Sequence, residues 1–356
     1  MKTTNKIKLG VSLYSYQDSY YFGRQDLEGC IAAAAGSGAE GIEVFADAMI
    51  DEWPAAKLSD EFLEKWNHWM KQYGITPVCL DHFSDRAMWH NRQLTDDELF
   101  DRSVLYIKTA AQLGCHTIRL LHDEHIGDFG ISPYRLTDVH LVERLLPVAQ
   151  EYDVMMALEC HNPTNVAQKC QEKYLELADR TGIPYVGLQA DFSSYEYCIS
   201  TADIGNEVRN SGANREVLEA LREIQRDCYF KKQPFLIEEY RDTLNKLGAT
   251  ENDWKIMDFF IRLENPYGSD KTFSYETLKE YASRLVYIHG KFYEFDENGQ
   301  VDNMDYPAIF TALKEGGYQG FISSEFEGNR RMNDDHWVDD IDYVRRHQAL
   351  MRECLE

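Results

Sequence analysis

Short apolar, β-branched runs alternate with capped amphipathic stretches along the 356 residues, and that alternation limits the fold more than any other feature. Ile7 to Tyr14, Ala39 to Phe45, Thr76 to Leu80, His116 to His122, Val154 to Leu158, Pro184 to Ala190, Leu285 to His289 and Gly320 to Glu325 read as strands. Helix signals recur between them. Asp26 opens a helix that stops at Gly36, and Ser59 opens another to about Tyr73 with Asp60 and Glu61 in its first turn. Thr95 and Glu98 form a capping box for a helix to Leu113. Further helices are expected from Thr137 to Tyr152, Thr164 to Thr181, Ser274 to Ser283, Tyr306 to Glu315 and Trp337 to Cys354. Eight such alternations, without a dinucleotide-type GxGxxG, predict one α/β domain over residues 1–356, a (β/α)8 TIM barrel. A doubly wound parallel sheet is the alternative.

The rhythm breaks once. Leu285 lies too far from Ala190 for an ordinary connection, and the amphipathic segments Arg215 to Cys228, Phe235 to Leu247 and Trp254 to Arg262 fall in the gap. A helical insertion over about residues 195–272, between strands six and seven, is expected.

Strands five to eight each close on a group able to bind a metal: Glu159, Asp191, His289 and Glu325. In a barrel those ends meet at one rim, so the four residues form one candidate site. Three carboxylates and one imidazole make an oxygen-rich shell with room for two more ligands, which suits Mn²⁺, with Mg²⁺, Co²⁺ and Zn²⁺ as alternatives. His161 lies two residues beyond Glu159 and faces the same way, as a candidate catalytic base or as a partner that holds a ligand in place. Lys291, two beyond His289, either binds a substrate oxygen or is solvated. Glu43, His82 and His122 end strands two to four, where they would line the opposite wall as substrate-binding groups or serve as structural partners. Tyr14, Tyr16, Tyr20, Tyr21, Phe22, Trp53 and Trp89 fall near the expected mouth. Their rings suit the flat or apolar faces of a substrate, and core packing is the other reading. Arg330 and Arg331 follow the last strand, as phosphate ligands or as loop residues, but no Gly-rich phosphate loop accompanies them.

Sixty-one acidic residues against 37 Lys and Arg give a formal charge of −24, which repels nucleic acid and anionic membrane surfaces. No stretch approaches the roughly 20 apolar residues of a membrane span, and Met1 to Lys6 lacks a signal segment, so a cytoplasmic location is expected. The eight cysteines show no CxxC spacing and read as reduced, buried thiols.

Several of these motifs together resemble a known group. Gly41-Ile42-Glu43, Leu158-Glu159-Cys160-His161-Asn162-Pro163, Ala190-Asp191, Ile288-His289-Gly290-Lys291 and Ser323-Ser324-Glu325-Phe326-Glu327-Gly328 resemble the xylose isomerase-like barrels. That superfamily includes sugar-phosphate isomerases and epimerases, ketose 3-epimerases and the AP endonuclease family. The resemblance implies that Glu159, Asp191, His289 and Glu325 hold the metal. Ketose epimerases place a histidine three residues after the strand-six aspartate, where this chain has Ser194. The endonuclease branch needs many histidines that are missing here. The opening Lys8 to Ser15, the Glu-x-His-Asn-Pro strand end and the long segment after Asp191 are similar to the α subunits of bacterial C-glycoside deglycosidases. Those metal barrels pair with a small β subunit and cleave the carbon–carbon bond between a 3-oxo sugar and an aromatic aglycone. The resemblance therefore implies a sugar or glycoside substrate, a β subunit or self-association, and proton abstraction beside a carbonyl. Reprotonation on another carbon or face would give isomerisation or epimerisation, and loss of a group at the next carbon would give elimination.

Overall fold

The computed structural model describes residues 7–52, 57–82, 92, 94–121, 138–263 and 265–356. Trp53, Trp89, His122 and the expected helix start at Thr137 lie outside the described residues. Eight parallel strands pair in chain order and close on themselves. They are β1 (Lys8–Ser12), β2 (Gly41–Phe45), β3 (Thr76–Asp81), β4 (Thr117–Leu120), β5 (Met155–Cys160), β6 (Val186–Asp191), β7 (Leu285–Phe292) and β8 (Phe321–Phe326). Closure comes from β1 on β8, with Leu9 opposite Ile322 and Val11 opposite Ser324. The barrel is thus the fold, and the doubly wound alternative, which would leave two open edges, is set aside.

Strand periodicity sorts the side chains. Ile288 and Phe292 of β7 join the main core with Leu188, Ile322 and helix residues such as Trp66, Tyr106, Leu145 and Ile309. The alternate residue Tyr287 packs with Cys79 and Ala157 inside the barrel, forming a floor below the rim. β7 runs past His289 to Phe292, so Lys291 is a strand residue and not a loop residue.

The caps are where the sequence puts them. Asp26 accepts from Gly29 N at 2.8 Å, Ser59 from Phe62 N at 3.1 Å, and Thr95 and Glu98 make the full capping box. Two expected helices start late. Thr164 turns its N–H and hydroxyl back to the His161 carbonyl, at 2.7 and 2.9 Å, and Asn165 accepts from Ala167 N, so the helix begins at Glu172 and ends at Thr181. The last helix is Asp340–Leu355, because Asp339 caps it by accepting from Asp342 N at 3.1 Å.

Between β6 and β7 lie helices Thr201–Asn206, Arg215–Phe230, Arg241–Lys246 and Glu251–Ile261. Of the expected Phe235 to Leu247 segment only Arg241–Lys246 forms an α-helix, preceded by a separate 3₁₀ turn at Ile237–Glu239 that starts from extended backbone at Leu236. Ile199, Val217, Leu218, Leu221, Leu244, Met257 and Phe260 pack together as a core of their own. Arg222 ties this segment to the barrel by donating to the carbonyls of Ile199 and Asp302. All eight cysteines are free, and no helix among the described residues is long and apolar enough to cross a membrane.

Candidate metal centre

Strand register brings the four predicted ligands to one point. Asp191 stands opposite His289 across β6 and β7, and Lys291 opposite Glu325 across β7 and β8. One atom from each of Glu159, Asp191, His289 and Glu325 falls within 4.8 Å of all the others, and all four residues are buried. His289 Nδ1 lies 2.8 Å from Glu159 Oε1, 3.0 Å from Glu325 Oε2 and 3.9 Å from Asp191 Oδ2. Ligand bonds of about 2.1 Å at right angles leave about 3.0 Å between neighbouring donors, and opposite donors about 4.2 Å apart. The first two separations match an edge of such a shell, and the third approaches a diagonal.

The outer partners leave the right atoms over. Glu159 Oε2 accepts from Arg119 Nε at 3.0 Å and from Nη2 at 2.6 Å, while Oε1 turns inward. Asp191 Oδ1 accepts from Ser193 N at 2.7 Å. His289 Nε2 sits 3.0 and 2.9 Å from the two oxygens of Glu43, which also accepts from Ser12 Oγ at 2.6 Å. With Nε2–H donating to Glu43, Nδ1 is the ring nitrogen that faces the three carboxylates, and once it gives up its proton its lone pair is oriented to bind a metal. Asp191 Oδ2 and Glu325 Oε2 accept no hydrogen bond of good geometry. Lys291 Nζ lies 3.5 and 2.7 Å from them, close enough for charge attraction yet not aligned. Buried oxygens left in that condition are what a cation satisfies, and this donor set fits a divalent one.

Charge dominates the site's acid–base behaviour. Burial alone would raise Glu159 and Glu325, but Arg119 and His289 hold the first, and His289 and Lys291 the second, well below the usual carboxylate range. Asp191 is raised by burial against the pull of Lys291. Burial disfavours the charged forms of His289 and Lys291, yet the surrounding carboxylates keep both well above their ordinary values.

The other candidates divide. His161 is half-buried near Glu159 and Asp191, and its Nδ1 lies 2.6 Å from the Asn162 carbonyl, across a cis Asn162–Pro163 bond from the following turn. Lys291 is buried among Asp191, Glu325 and Glu327, so the solvated alternative is removed. Glu43 holds His289 and is no free sugar ligand. His82 packs its ring on Tyr106, 3.5 Å between centroids, with Nδ1 3.9 Å from Asp47. The preceding Asp81 is the residue β3 gives the cluster, accepting from Arg119 Nη1 at 2.8 Å. Tyr14 donates to Glu327 Oε1 at 3.1 Å beside the site. Tyr16 is buried in the helical layer, where Asp340 and Cys30 shape its surroundings, and does not line the mouth. Arg330 lies 3.5 Å from Glu327, and Arg331 pairs with Asp203, so both arginines already face carboxylates. Arg119 and Asp81 were not singled out from sequence. The available signal was Arg119 at an inward position of an otherwise apolar strand, where only a carboxylate cluster could hold it.

Comparison with known proteins places this geometry. Residues 31–198 match the xylose isomerase-like TIM barrel family. The C-glycoside deglycosidase alpha subunit of Arthrobacter globiformis is 30% identical over 98% of this chain and 93% of its own length. The chain belongs to the xylose isomerase-like TIM barrel family and, within it, to the family of these alpha subunits. A 3'-dehydrocarminate deglycosidase alpha subunit from Microbacterium sp. is 26% identical over 98% of this chain and 95% of that protein. Among solved structures, D-allulose 3-epimerase from Methylomonas sp. superposes with a TM-score of 0.53 at 15% identity, covering 99% of this chain and 100% of that one. An IolI protein with a bound zinc atom gives 0.51 at 14% identity, covering 98% of each. These superpositions confirm the family's barrel in this chain. Where the family's ketose epimerases carry a histidine, Ser194 donates to the carbonyls of Cys160 at 3.1 Å and Thr164 at 2.7 Å. It braces the turn behind His161.

Proposed function

We propose that this chain is the catalytic subunit of a metal-dependent C-glycoside deglycosidase, a lyase that cleaves the carbon–carbon bond of a 3-oxo C-glucoside by elimination. One observation carries the proposal: four converging, buried ligand atoms in a chain 30% identical over 98% of its length to a C-glycoside deglycosidase alpha subunit. The name of the 3'-dehydrocarminate relative supports a 3-oxo sugar as the substrate class. A divalent ion held by Glu159, Asp191, His289 and Glu325, Mn²⁺ first with Mg²⁺, Co²⁺ and Zn²⁺ as alternatives, supplies a Lewis acid that acidifies the C–H bond beside a carbonyl.

His161 takes the proton from C2 of the sugar, next to the C3 carbonyl. When Nδ1–H donates to the Asn162 carbonyl, at 2.6 Å, the basic lone pair lies on Nε2. The electron pair of the C2–H bond becomes the C1–C2 double bond, and the C1–aglycone bond breaks. Its electron pair leaves with the aglycone carbon, which then takes up a proton. The products are an unsaturated 3-oxo sugar and the free aglycone. Lys291, kept protonated by Asp191 and Glu325, holds its charge beside the substrate oxygen on which negative charge develops. The naming of relatives as alpha subunits supports assembly with a small β subunit, and the acidic surface supports cytoplasmic work away from nucleic acid and membranes.

Epimerisation of free ketoses is the second reading, but Ser194 is spent on two backbone carbonyls where that chemistry has a histidine. Mn²⁺-loaded protein, with and without a co-expressed small subunit, is to be incubated with 3-oxo C-glucosides and a ketose panel. Release of free aglycone that is lost in Glu159→Gln supports elimination. Turnover of ketoses alone would replace it with the isomerase reading, and activity retained in Glu159→Gln would remove the site assignment.

A further inference from the structure

Glu325 stands where the barrel's own ladder runs out. Pairing between β1 and β8 stops at Val11 opposite Ser324, so the edge of Glu325 that faces β1 has no strand partner. Ser15, in the 3₁₀ turn Leu13–Tyr16 after β1, takes its place. Its hydroxyl donates to the Ser324 carbonyl at 3.1 Å and accepts from Phe326 N at 2.9 Å, spanning the backbone of Glu325.

A second set of contacts reaches the same strand from the outside. Gln348, on the last helix, donates to Ser324 Oγ at 2.9 Å and to the Gly10 carbonyl at 2.6 Å. Ser324 Oγ lies 2.8 Å from His347 Nδ1, His347 Nε2 lies 2.7 Å from Tyr306 Oη, and Tyr306 Oη donates to the Lys291 carbonyl at 2.7 Å. Since the Tyr306 proton is used on that carbonyl, His347 Nε2–H must donate to Tyr306, and Nδ1 must accept from Ser324. The chain of donors runs one way, from Gln348 through Ser324, His347 and Tyr306 to Lys291, with every member buried. The His347 ring stacks on Phe292 at 3.9 Å, nearly parallel at 8°. Gly290 leaves the room for this approach, as a Cβ there would meet Met351 Sδ at 3.3 Å and His347 Cε1 at 3.4 Å.

We propose that His347 and Ser15 are positioning residues of the metal centre. They clamp β8 on either side of Glu325 and the end of β7 at Lys291, and thereby set the affinity for the divalent ion. The inference rests on the metal assignment made above. Groups behind metal ligands commonly change affinity 10–100-fold when removed, because a ligand displaced by a fraction of an ångström no longer meets the ion. Neither residue touches the ligand atoms, so both act through the backbone that carries Glu325 and Lys291.

The test is Mn²⁺ binding to the full chain, followed by calorimetry and by the electron paramagnetic resonance signal of free Mn²⁺. His347→Phe keeps the stack on Phe292 but removes both ring hydrogen bonds, and Ser15→Ala removes the bracket. Each is expected to weaken Mn²⁺ binding by about tenfold or more. His347→Gln, which restores a donor toward Tyr306, recovers part of the loss. Trp66→Phe breaks a different buried hydrogen bond, from the indole to the Leu113 carbonyl at 2.9 Å, and is expected to leave the affinity unchanged. Should His347→Phe fail to fold, Tyr306→Phe, which deletes one oxygen of the same chain, carries the test. Wild-type affinity in His347→Phe (or Tyr306→Phe) and Ser15→Ala, or losses no greater than that of Trp66→Phe, would overturn the positioning role while leaving the metal site standing. A wild-type chain that takes up no divalent ion would overturn the metal assignment, and this inference with it.

Discussion

Glu43 offers the sharpest handle on the metal centre, because it touches His289 from behind without reaching the ligand point. Its two oxygens lie 3.0 and 2.9 Å from His289 Nε2, and Ser12 fixes the carboxylate at 2.6 Å. Glu43→Gln keeps one acceptor but removes the charge that makes the imidazole a stronger ligand. Glu43→Ala leaves the buried N–H without an acceptor, at a cost of about 1–3 kcal/mol, and frees the ring to turn. Losses of about tenfold for the first variant and about 100-fold for the second are expected in metal affinity, roughly 1.4 and 2.7 kcal/mol. Unfolding by urea, with and without metal, reads this directly. At free metal 100 times the wild-type Kd, the wild-type chain gains about 2.7 kcal/mol, whereas a variant weakened 100-fold gains only about 0.4 kcal/mol. A metal-dependent gain in Glu43→Ala equal to that of the wild type would show that Glu43 does not orient His289 as a ligand.

Other perturbations have equally definite outcomes. Arg119→Leu strands Asp81 and Glu159 as buried anions and is expected to cost about 3–5 kcal/mol in chemical denaturation, with partial recovery in Arg119→Leu/Asp81→Leu. No loss in the single variant would show that the triad is not needed for folding. Burial against Tyr106, opposed by Asp47, pushes His82 down to about 4. The unfolded chain takes up this proton near pH 6.5 and the folded chain only near 4, so stability is fully present above about 6.5 and falls by about 2 kcal/mol at pH 5. His82→Phe should flatten that part of the urea-midpoint profile, and an unchanged slope would refute the assignment. Removal of metal by a chelator should abolish aglycone release and lower the melting temperature, and Mn²⁺ should restore both.

Most of what the sequence makes legible is periodic or terminal. A strand buried on one or both faces and a capped helix each leave a local signature, so the barrel, the capping box at Thr95 and the convergence of the four strand-end side chains could be read residue by residue. What escaped depends on contacts between distant segments. His82 and Asp81 are neighbours, but strand alternation sends Asp81 to the cluster and His82 to Tyr106, and only the exact strand end decides which is which. Tyr14 and Tyr16 are separated by one residue in a 3₁₀ turn, not a strand, so they part company, Tyr14 toward Glu327 and Tyr16 toward the helical layer. Arg119 is not legible from the chain around it, because its partners Asp81 and Glu159 come from β3 and β5.

The charge count at the rim explains why these residues need one another. Glu43, Asp81, Glu159, Asp191 and Glu325 face Arg119, His289 and Lys291, five carboxylates against three cations, all buried. The excess of negative charge is visible at Asp81, which burial and the neighbouring carboxylates raise to about 7 in spite of Arg119. It is visible again at His289, held well above its ordinary value by Glu325, Glu43 and Glu159 although burial opposes the charge. In the metal-free chain, then, a proton on His289 Nδ1 stands where the ion would bind. Metal can enter only by displacing it, so binding should release about one proton near neutral pH and tighten as pH rises. Titrating Mn²⁺ by calorimetry in buffers of different ionisation enthalpy measures that proton. Uptake without release would mean that His289 is already neutral, and the balance of carboxylates and cations would have to be drawn differently.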